Sequence, residues 1–380
     1  MRVCIVYDCL YPFTIGGAER WYRNLAERLA ASGHEVTFLT RRQWGRGEDP
    51  SIPGVRVVAV SPRMELYAGG RRRILPPLIF GLGVLTHLLR HGRRYDVVHT
   101  ASFPYFSLLA AGAARGRGRF RLVVDWHEVW TREYWREYLG ALGGLIGWRI
   151  QGSCMRVPQR AFCFSRLHEA RLQAEGFFGE LTRLEGQYRG PLESVQRRPA
   201  QLVAVFAGRH IPEKRVPALV PALAEARRQI PGLRGEIYGD GPERARVLQA
   251  IAESGLDGGV VAPGFVDAAV LDRAVAGALC LVLPSRREGY GLVIIEAAAR
   301  GVPVVVVEGP DNAAVELVEE GTNGAIAKSV DRAELAAAIV RVYDGGAALR
   351  DSAAEWFRRN ADRLSFDRSF EHVLKTYAEP

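Results

Sequence analysis

No run of about eighteen uncharged apolar residues, the length that crosses a bilayer as a helix, occurs in the sequence. The first residues enter a strand pattern at once and show no apolar leader, so a protein made and kept in the cytoplasm is expected. Cysteine is scarce and scattered. Cys4, Cys9, Cys154, Cys163 and Cys280 form no CxxC pair and no Cys/His cluster at zinc spacing, and they read as reduced thiols filling a core. Zinc-finger, helix-turn-helix and aromatic RNA-binding patterns are missing as well. The formal net charge of +9, carried mainly by arginine, therefore points away from nucleic acid and toward phosphate-bearing ligands or an anionic membrane surface. Solenoid-length repeats and low-complexity tracts are also absent.

What is present is an alternation of short β-branched runs with amphipathic segments, the pattern of parallel sheets covered by helices. Strands are expected at Val3–Tyr7, Glu35–Leu39, Val55–Val60, Asp96–His99, Leu122–Asp125 and Ala161–Phe164 in the first half. In the second half they are expected at Val203–Ala207, Gly235–Tyr238, Val260–Ala262, Leu279–Leu283 and Pro303–Val307. A chain of 380 residues is too long for one core, so an α/β protein of two nucleotide-fold domains in series is expected, residues 1–190 and 200–364. The boundary is placed in the polar stretch Gly190–Ala200. Past Val330 the pattern turns helical, through Ala333–Tyr343 and Ala348–Asn360. Open α/β sheets bind ligands at the carboxyl ends of their strands, and every motif below follows a strand.

The densest motif is PSRREGYGLVIIEAAARGVPVVVV, from Pro284 to Val307. A short strand ends in Pro-Ser, a Glu-Gly-Tyr-Gly turn opens a helix, and a second apolar strand follows. Gly289 and Gly291 let backbone approach a ligand, and a helix opening near Gly291 offers unpaired amides suited to a diphosphate. Glu296 lies about five residues into that helix, roughly 7 to 8 Å along its axis, a fitting separation between a diphosphate and ribose hydroxyls. Glu288 stays in the loop on the other side of the phosphates, where sugar hydroxyls would meet it. Two glutamates at a helix start can also be a surface charge and a dipole partner; the glycine turn favours the ligand reading.

Glu288 and Glu296, with seven residues between them and EGYG, EAAARG and VPVVVV around them, resemble the signature of retaining glycosyltransferases of the GT-B fold, the group-one family also called family four. That resemblance implies two Rossmann-like domains with parallel sheets facing a central cleft, the first on the acceptor side and the second on the nucleotide-sugar donor side. It also implies that the last helix, residues 365–380, packs back on the first domain. Matches run from Gly16 to Gly324.

The remaining motifs fit the same family. After the first strand, Gly16-Gly17 starts a helix, and the resemblance implies that this loop closes over the donor; a simple helix-entry turn is the alternative. This is not the GxGxxG pattern of nicotinamide or flavin enzymes. Glu19 and Arg20 beside it are expected to form a helix-surface pair. His127 follows the fifth strand in Asp-Trp-His-Glu, and a histidine at this place in family members contacts the donor sugar; a structural histidine is the alternative. His99 is the weaker candidate, orienting the acceptor side or packing.

In VAVFAGRHIPEKR, Gly208, Arg209 and Lys214 match the family pattern of strand, Gly-Arg and then Lys. Two fixed cations there would stabilise the charge gained by a departing nucleoside diphosphate. Tyr238-Gly239-Asp240-Gly241-Pro242 is expected to shape the cleft wall. Gly264, Phe265 and Val266 resemble the place where the nucleobase packs, with Tyr290 and Leu292 completing the donor loop. Such main-chain contacts leave UDP, GDP, ADP and TDP donors open. Glu308–Asn312 departs from the Pro-Glu often found there, which leaves sugar choice undefined.

No Asp-x-Asp triplet occurs, so no metal site and no obligatory metal or other cofactor are expected, with a nucleotide sugar as co-substrate. The resemblance implies transfer with retention to an acceptor hydroxyl of a lipid-linked sugar, a polysaccharide or a small aglycone. No second carboxylate is available from sequence as a nucleophile, so a front-face route is preferred. A sugar-nucleotide epimerase on the same architecture and a non-catalytic polysaccharide-binding scaffold are the competing readings. Finally, Arg71, Arg72 and Arg73 precede the apolar segment Ile74–Leu89, and Arg90, Arg93 and Arg94 follow it. That suits either peripheral contact with an anionic membrane, at the inner face, or a helix packed on the first sheet. The Tyr134–Ile150 region, rich in aromatics, suits an acceptor channel or a core.

Overall fold

The computed structural model describes residues 1–379 apart from Arg46, Asp49, Gly69, Gly70, 194–198 and Asp257. The chain divides into two compact units, Met1–Leu184 with Phe370–Pro380, and Glu185–Ser369.

The first unit is built on a seven-stranded sheet of β1 (Arg2–Val6), β2 (Glu35–Arg41), β3 (Val55–Ser61), β4 (Val97–Ala101), β5 (Arg121–Trp126), β6 (Gln159–Cys163) and β7 (Gly179–Arg183). Their spatial order is β3-β2-β1-β4-β5-β6-β7, with every pairing parallel. Parallel neighbours need crossovers, and in all but the β2–β3 connection these contain the helices α1 (Gly17–Ala31), α2 (Leu75–His91), α3 (Phe106–Gly118), α4 (Arg132–Met155) and α5 (Arg166–Ala174). Central strands buried on both faces read as the apolar runs that made them legible. Val6, Val98 and Val124 of the sheet pack with Phe80, Val84 and Leu88 of α2 and Leu108 and Ala111 of α3 into one cluster. All five cysteines are buried and free.

The second unit repeats the plan with β8 (Val203–Ala207), β9 (Arg234–Tyr238), β10 (Val260–Gly264), β11 (Cys280–Leu283), β12 (Val304–Val307) and β13 (Gly324–Ala327). The order β10-β9-β8-β11-β12-β13 is the doubly wound arrangement, with its reversal between β8 and β11. Helices α6 (Leu219–Ala226), α7 (Arg244–Glu253), α8 (Ala268–Gly277) and α9 (Leu292–Ala298) connect the strands. The chain ends in α10 (Arg332–Leu364), kinked at Gly346, and α11 (Phe366–Ala378).

Three expectations are adjusted. Strands β7 and β13 close one edge of each sheet. The first, GELTR, is polar and half-exposed, and the second, GAIA, is short and small, so neither carries the apolar signal of a central strand. The division of the chain falls at Leu184, ahead of Gly190–Ala200, a stretch whose residues 194–198 lie outside the described residues. The reason is local: Gly186 N–H donates to Ser369 Oγ at 3.0 Å, and Tyr188 N–H donates to the Leu364 carbonyl at 3.1 Å. The return to the first unit accordingly begins at Phe370 and not at residue 365.

Candidate active site

In the second unit the loops at the strand ends are stitched together by main chain. Gly208 N–H donates to the Tyr238 carbonyl at 3.2 Å, His210 N–H to the Asp240 carbonyl at 2.8 Å, and Gly239 N–H to the Gly264 carbonyl at 2.8 Å. Gly239 makes this possible. Its φ of 114° suits glycine, and a Cβ there would stand 1.9 Å from the Gly208 oxygen. The loops after β8, β9 and β10 thus form one surface, carrying Gly208, the half-buried Arg209, Gly264, Val266 and Phe265, whose ring is 55% exposed.

Across the reversal point, the loops after β8 and β11 meet through side chains. Lys214, in a single 3-10 turn, is ion-paired with Glu288, and Ser285 Oγ donates to the same carboxylate oxygen at 2.9 Å. Arg286 N–H donates to the Glu213 carbonyl at 2.8 Å, and Arg215 Nε to the Pro284 carbonyl at 2.9 Å. Asn312 completes the frame. Its Nδ2 donates to the Val307 carbonyl at 2.7 Å and to the Ser285 carbonyl at 3.2 Å, while Arg287–Glu288 pairs as a short parallel strand with Asp311–Asn312. The segment Glu308–Asn312 therefore positions the Glu288 loop, a role sequence reasoning missed because an amide bridging two carbonyls leaves no spacing signal.

Beyond Gly289, Gly291 takes φ 102° at the head of α9, where a Cβ would stand 2.9 Å from that of Ala314. The first amides of α9, those of Leu292 and Val293, have no acceptor within the helix, while Ile294 N–H donates to the Gly291 carbonyl at 2.9 Å. Glu296 is half-buried on α9. Tyr290 departs from the expected donor role in its side chain: the ring is buried and its hydroxyl donates to the Glu185 carbonyl, anchoring the loop within the unit. Sequence reasoning also passed over His210, buried between Arg209 and Lys214 in sequence, with neither ring nitrogen bonded. Burial lowers its pKa, aided by Arg244.

In the first unit, Gly16 caps α1 in an extended conformation and Gly17 begins the helix. Glu19 is not the surface residue expected. It is buried and folds back so that its carboxylate lies 2.3 Å from where a Gly16 Cβ would be, at the positive end of its own helix. Gly17 has open space in place of a side chain.

His127 stacks on Phe164, centroids 4.6 Å apart and planes at 4°, with Tyr22 edge-on at 5.8 Å. Burial holds its pKa below the usual value against Asp125 and Glu128, so the ring is neutral at pH 7. His99 lies wholly inside the unit. Its Nε2 bonds Asp125 Oδ1 at 2.8 Å and its Nδ1 the Tyr377 hydroxyl at 2.6 Å, while Trp21 Nε1 donates to Asp125 Oδ2 at 2.7 Å. Burial alone would raise Asp125, but His99 holds the carboxyl below its usual range. His99 is thus a structural link from α11 to α1. Trp130, Tyr134 and Trp135 pack in the core, with Tyr138 partly buried against it.

Two doubly wound units with cations and carboxylates gathered at strand ends define a GT-B glycosyltransferase. Residues 16–184 match the glycosyl transferase 4-like domain and residues 201–345 the glycosyl transferases group 1 model. The D-inositol 3-phosphate glycosyltransferase of Segniliparus rotundus is 33% identical over 318 residues, 76% of this chain and 68% of that protein. The glycogen synthase of Mycobacterium tuberculosis H37Rv is 27% identical over 405 residues, covering 100% of this chain and 94% of the other. Among solved structures, sucrose-phosphate synthase from Thermosynechococcus elongatus superposes with a TM-score of 0.81 at 21% identity, over 99% of this chain and 98% of that one. The chain belongs to the group 1 glycosyltransferases.

Proposed function

We propose that this enzyme transfers a hexosyl group from a nucleoside diphosphate sugar to an acceptor hydroxyl, with retention and without an obligatory metal. The Lys214–Glu288 pair at the reversal point of the second sheet carries the reading. A cation and a carboxylate held on facing loops suit a diphosphate and the sugar attached to it. As the bond from the anomeric carbon to the phosphate oxygen breaks, Lys214 and Arg209 stabilise the charge on the departing diphosphate. Glu288 holds sugar hydroxyls, Glu296 the ribose hydroxyls, and neutral His127 the donor sugar. The acceptor oxygen bonds the anomeric carbon on the face the phosphate leaves, and its proton passes to that phosphate. Gly264, Phe265 and Val266 take the base. The acceptor is a lipid-linked sugar, a polysaccharide or a small aglycone.

The test is a calorimetric panel of UDP-, GDP-, ADP- and TDP-sugars with EDTA controls, followed by NMR of the product's anomeric configuration. One donor binding in EDTA and an α-donor giving an α-product are expected. An inverted product, or turnover that EDTA abolishes, refutes the respective part. Conversion of the donor to a second sugar nucleotide without acceptor supports the epimerase, and binding with no turnover the scaffold.

A peripheral site at the inner membrane face is the accompanying proposal. The outer side of α2 exposes Leu75, Leu78, Leu82 and Leu89, with Leu82 at 64%, while Phe80, Val84 and Leu88 face the core. Residues 66–95 contain no acidic side chain, and Arg73, Arg90, Arg93 and Arg94 flank the stripe; the side chains of Arg71 and Arg72 lie outside the described residues. Among the described residues no helix is long and apolar enough to cross a membrane. Sedimentation with phosphatidylglycerol vesicles, lost in Leu78→Glu/Leu82→Glu and absent with neutral vesicles, is the expected result; no sedimentation of the parent chain refutes it.

A further inference from the structure

Phe13, Thr14, Arg41, Gln43, Arg63 and Met64 line a cavity of about 500 Å³ in the first unit. They come from three consecutive connections, after β1, at the end of β2, and after β3, so the cavity opens where the carboxyl ends of one flank of the sheet point. Its volume suits a small sugar or polyol derivative.

The decisive residue is Arg41. Its side chain is tucked under the loop after β3, leaving the residue 6% exposed. Nη1 donates to the Met64 carbonyl at 2.7 Å, Nε has no acceptor, and no ion pair involves Arg41 among the described residues. A buried guanidinium without a carboxylate is costly unless something anionic completes it. Among the described residues no carboxylate is paired with it. Glu65, also at the rim, is mostly exposed and leans toward Arg73 at 3.7 Å. Arg63 adds a second, exposed cation at the mouth.

Hydrogen bonds hold the wall together. Gln43 Oε1 accepts from Leu10 N–H at 3.2 Å and from Thr14 Oγ1 at 2.7 Å, clamping the loop after β1 against the loop after β2. Thr14 lies two residues before Gly16, so an occupant seated on Arg41 has its far end near the Gly16-Gly17 turn. Phe13 and Met64 offer apolar surface to its body.

We infer that this cavity binds a phosphate monoester carried by the acceptor: a small hydroxylated molecule whose phosphate sits between Arg41 and Arg63 and whose free hydroxyl points toward Gly16-Gly17. The fork of a guanidinium matches phosphate oxygens in pairs, and two cations match its double charge. The acceptor assignment rests on the transfer reaction proposed above; the anion site itself does not.

The test uses the full chain and glucose 6-phosphate, inorganic phosphate and glucose as calorimetric probes, each with and without saturating UDP. Both phosphates are expected to bind and glucose to bind at least tenfold more weakly. Arg63→Glu, at an exposed position, weakens the phosphates at least tenfold with an unchanged melting temperature, and Arg41→Gln does the same at some cost in stability. No phosphate binding, binding indifferent to Arg63→Glu, or binding abolished by UDP overturns the site, the last because the probe then occupied a diphosphate site. In a second arm, UDP release from the preferred donor is followed with sugar and polyol phosphates and their dephosphorylated counterparts. Faster release with a phosphorylated member supports the acceptor assignment, and no advantage for any of them overturns it. Failure of the donor panel alone would sink the transferase reading while the phosphate arm still stands.

Discussion

Lys214 and Glu288 are ion-paired across 74 positions of sequence, joining the loops that flank the strand reversal of the second sheet. The cation and the carboxylate expected to serve a departing diphosphate and its sugar thus hold each other. Lys214→Ala and Glu288→Ala are each expected to lower kcat by about two to three orders of magnitude, with far-UV spectra unchanged. Either single change strands a partly buried charge and costs about 1–3 kcal/mol. The double variant Lys214→Met/Glu288→Gln should cost less than the sum in urea denaturation, because neither charge is left alone. Parent-like turnover in either single variant would falsify the site.

Gly239 sets the Gly208–Arg209 loop through close approach of its backbone. Gly239→Ala combines a backbone conformation that L-residues avoid with a collision against the Gly208 oxygen. It is expected to weaken UDP binding more than tenfold as well as lower the melting temperature. Gly33→Ala, at φ 79° with open space around it, carries only the conformational cost of about 1–2 kcal/mol and should leave UDP binding intact. Equal effects of the two on binding would contradict the stitching of the loops.

The chain of bonds from Tyr377 through His99 to Asp125 and Trp21 gives the last helix a purpose. Tyr377→Phe removes the hydroxyl that partners the buried His99 imidazole and is expected to cost about 1–3 kcal/mol in denaturant unfolding. Deleting residues 370–380 should leave the protein insoluble or molten, since Phe370, Val373 and Tyr377 are core residues. A truncated chain with native near-ultraviolet spectra would argue that α11 is dispensable.

Acidification should destabilise the protein well before its carboxylates titrate. His34, His87, His127 and His210 are all held below the usual 6.5, each chiefly by burial, and His87 is lowered to about 4. The unfolded chain therefore takes up these protons first. Stability is full above about pH 6.5 and is lost as pH falls through the window down to the lowered native values. Asp125, held low by His99, adds a further loss below pH 3.8. A melting temperature several degrees lower at pH 5 than at pH 7.5 is expected, and a flat profile would contradict these environments.

Much of the protein was legible in order along the chain. Apolar runs such as Val203–Ala207 and Val304–Val307 announce central parallel strands, because a strand buried on both faces tolerates little else. The glycines at 208, 289 and 291 and the charges at 209, 214, 288 and 296 follow those strands at spacings set by backbone geometry, and a local rule can read them. Edge strands β7 and β13 were not legible, the first because it is half-exposed and polar, the second because it is short and built of small residues. Tertiary structure alone decided that Lys214 bonds Glu288, that Asn312 bridges the Ser285 and Val307 carbonyls, and that Tyr290 turns inward to Glu185. It also turned Glu19 back over Gly16, buried Arg41 over a cavity, and made His99 a strut. Each of these depends on which distant segment a sheet brings alongside, and side-chain partners chosen across that distance leave no trace in local periodicity.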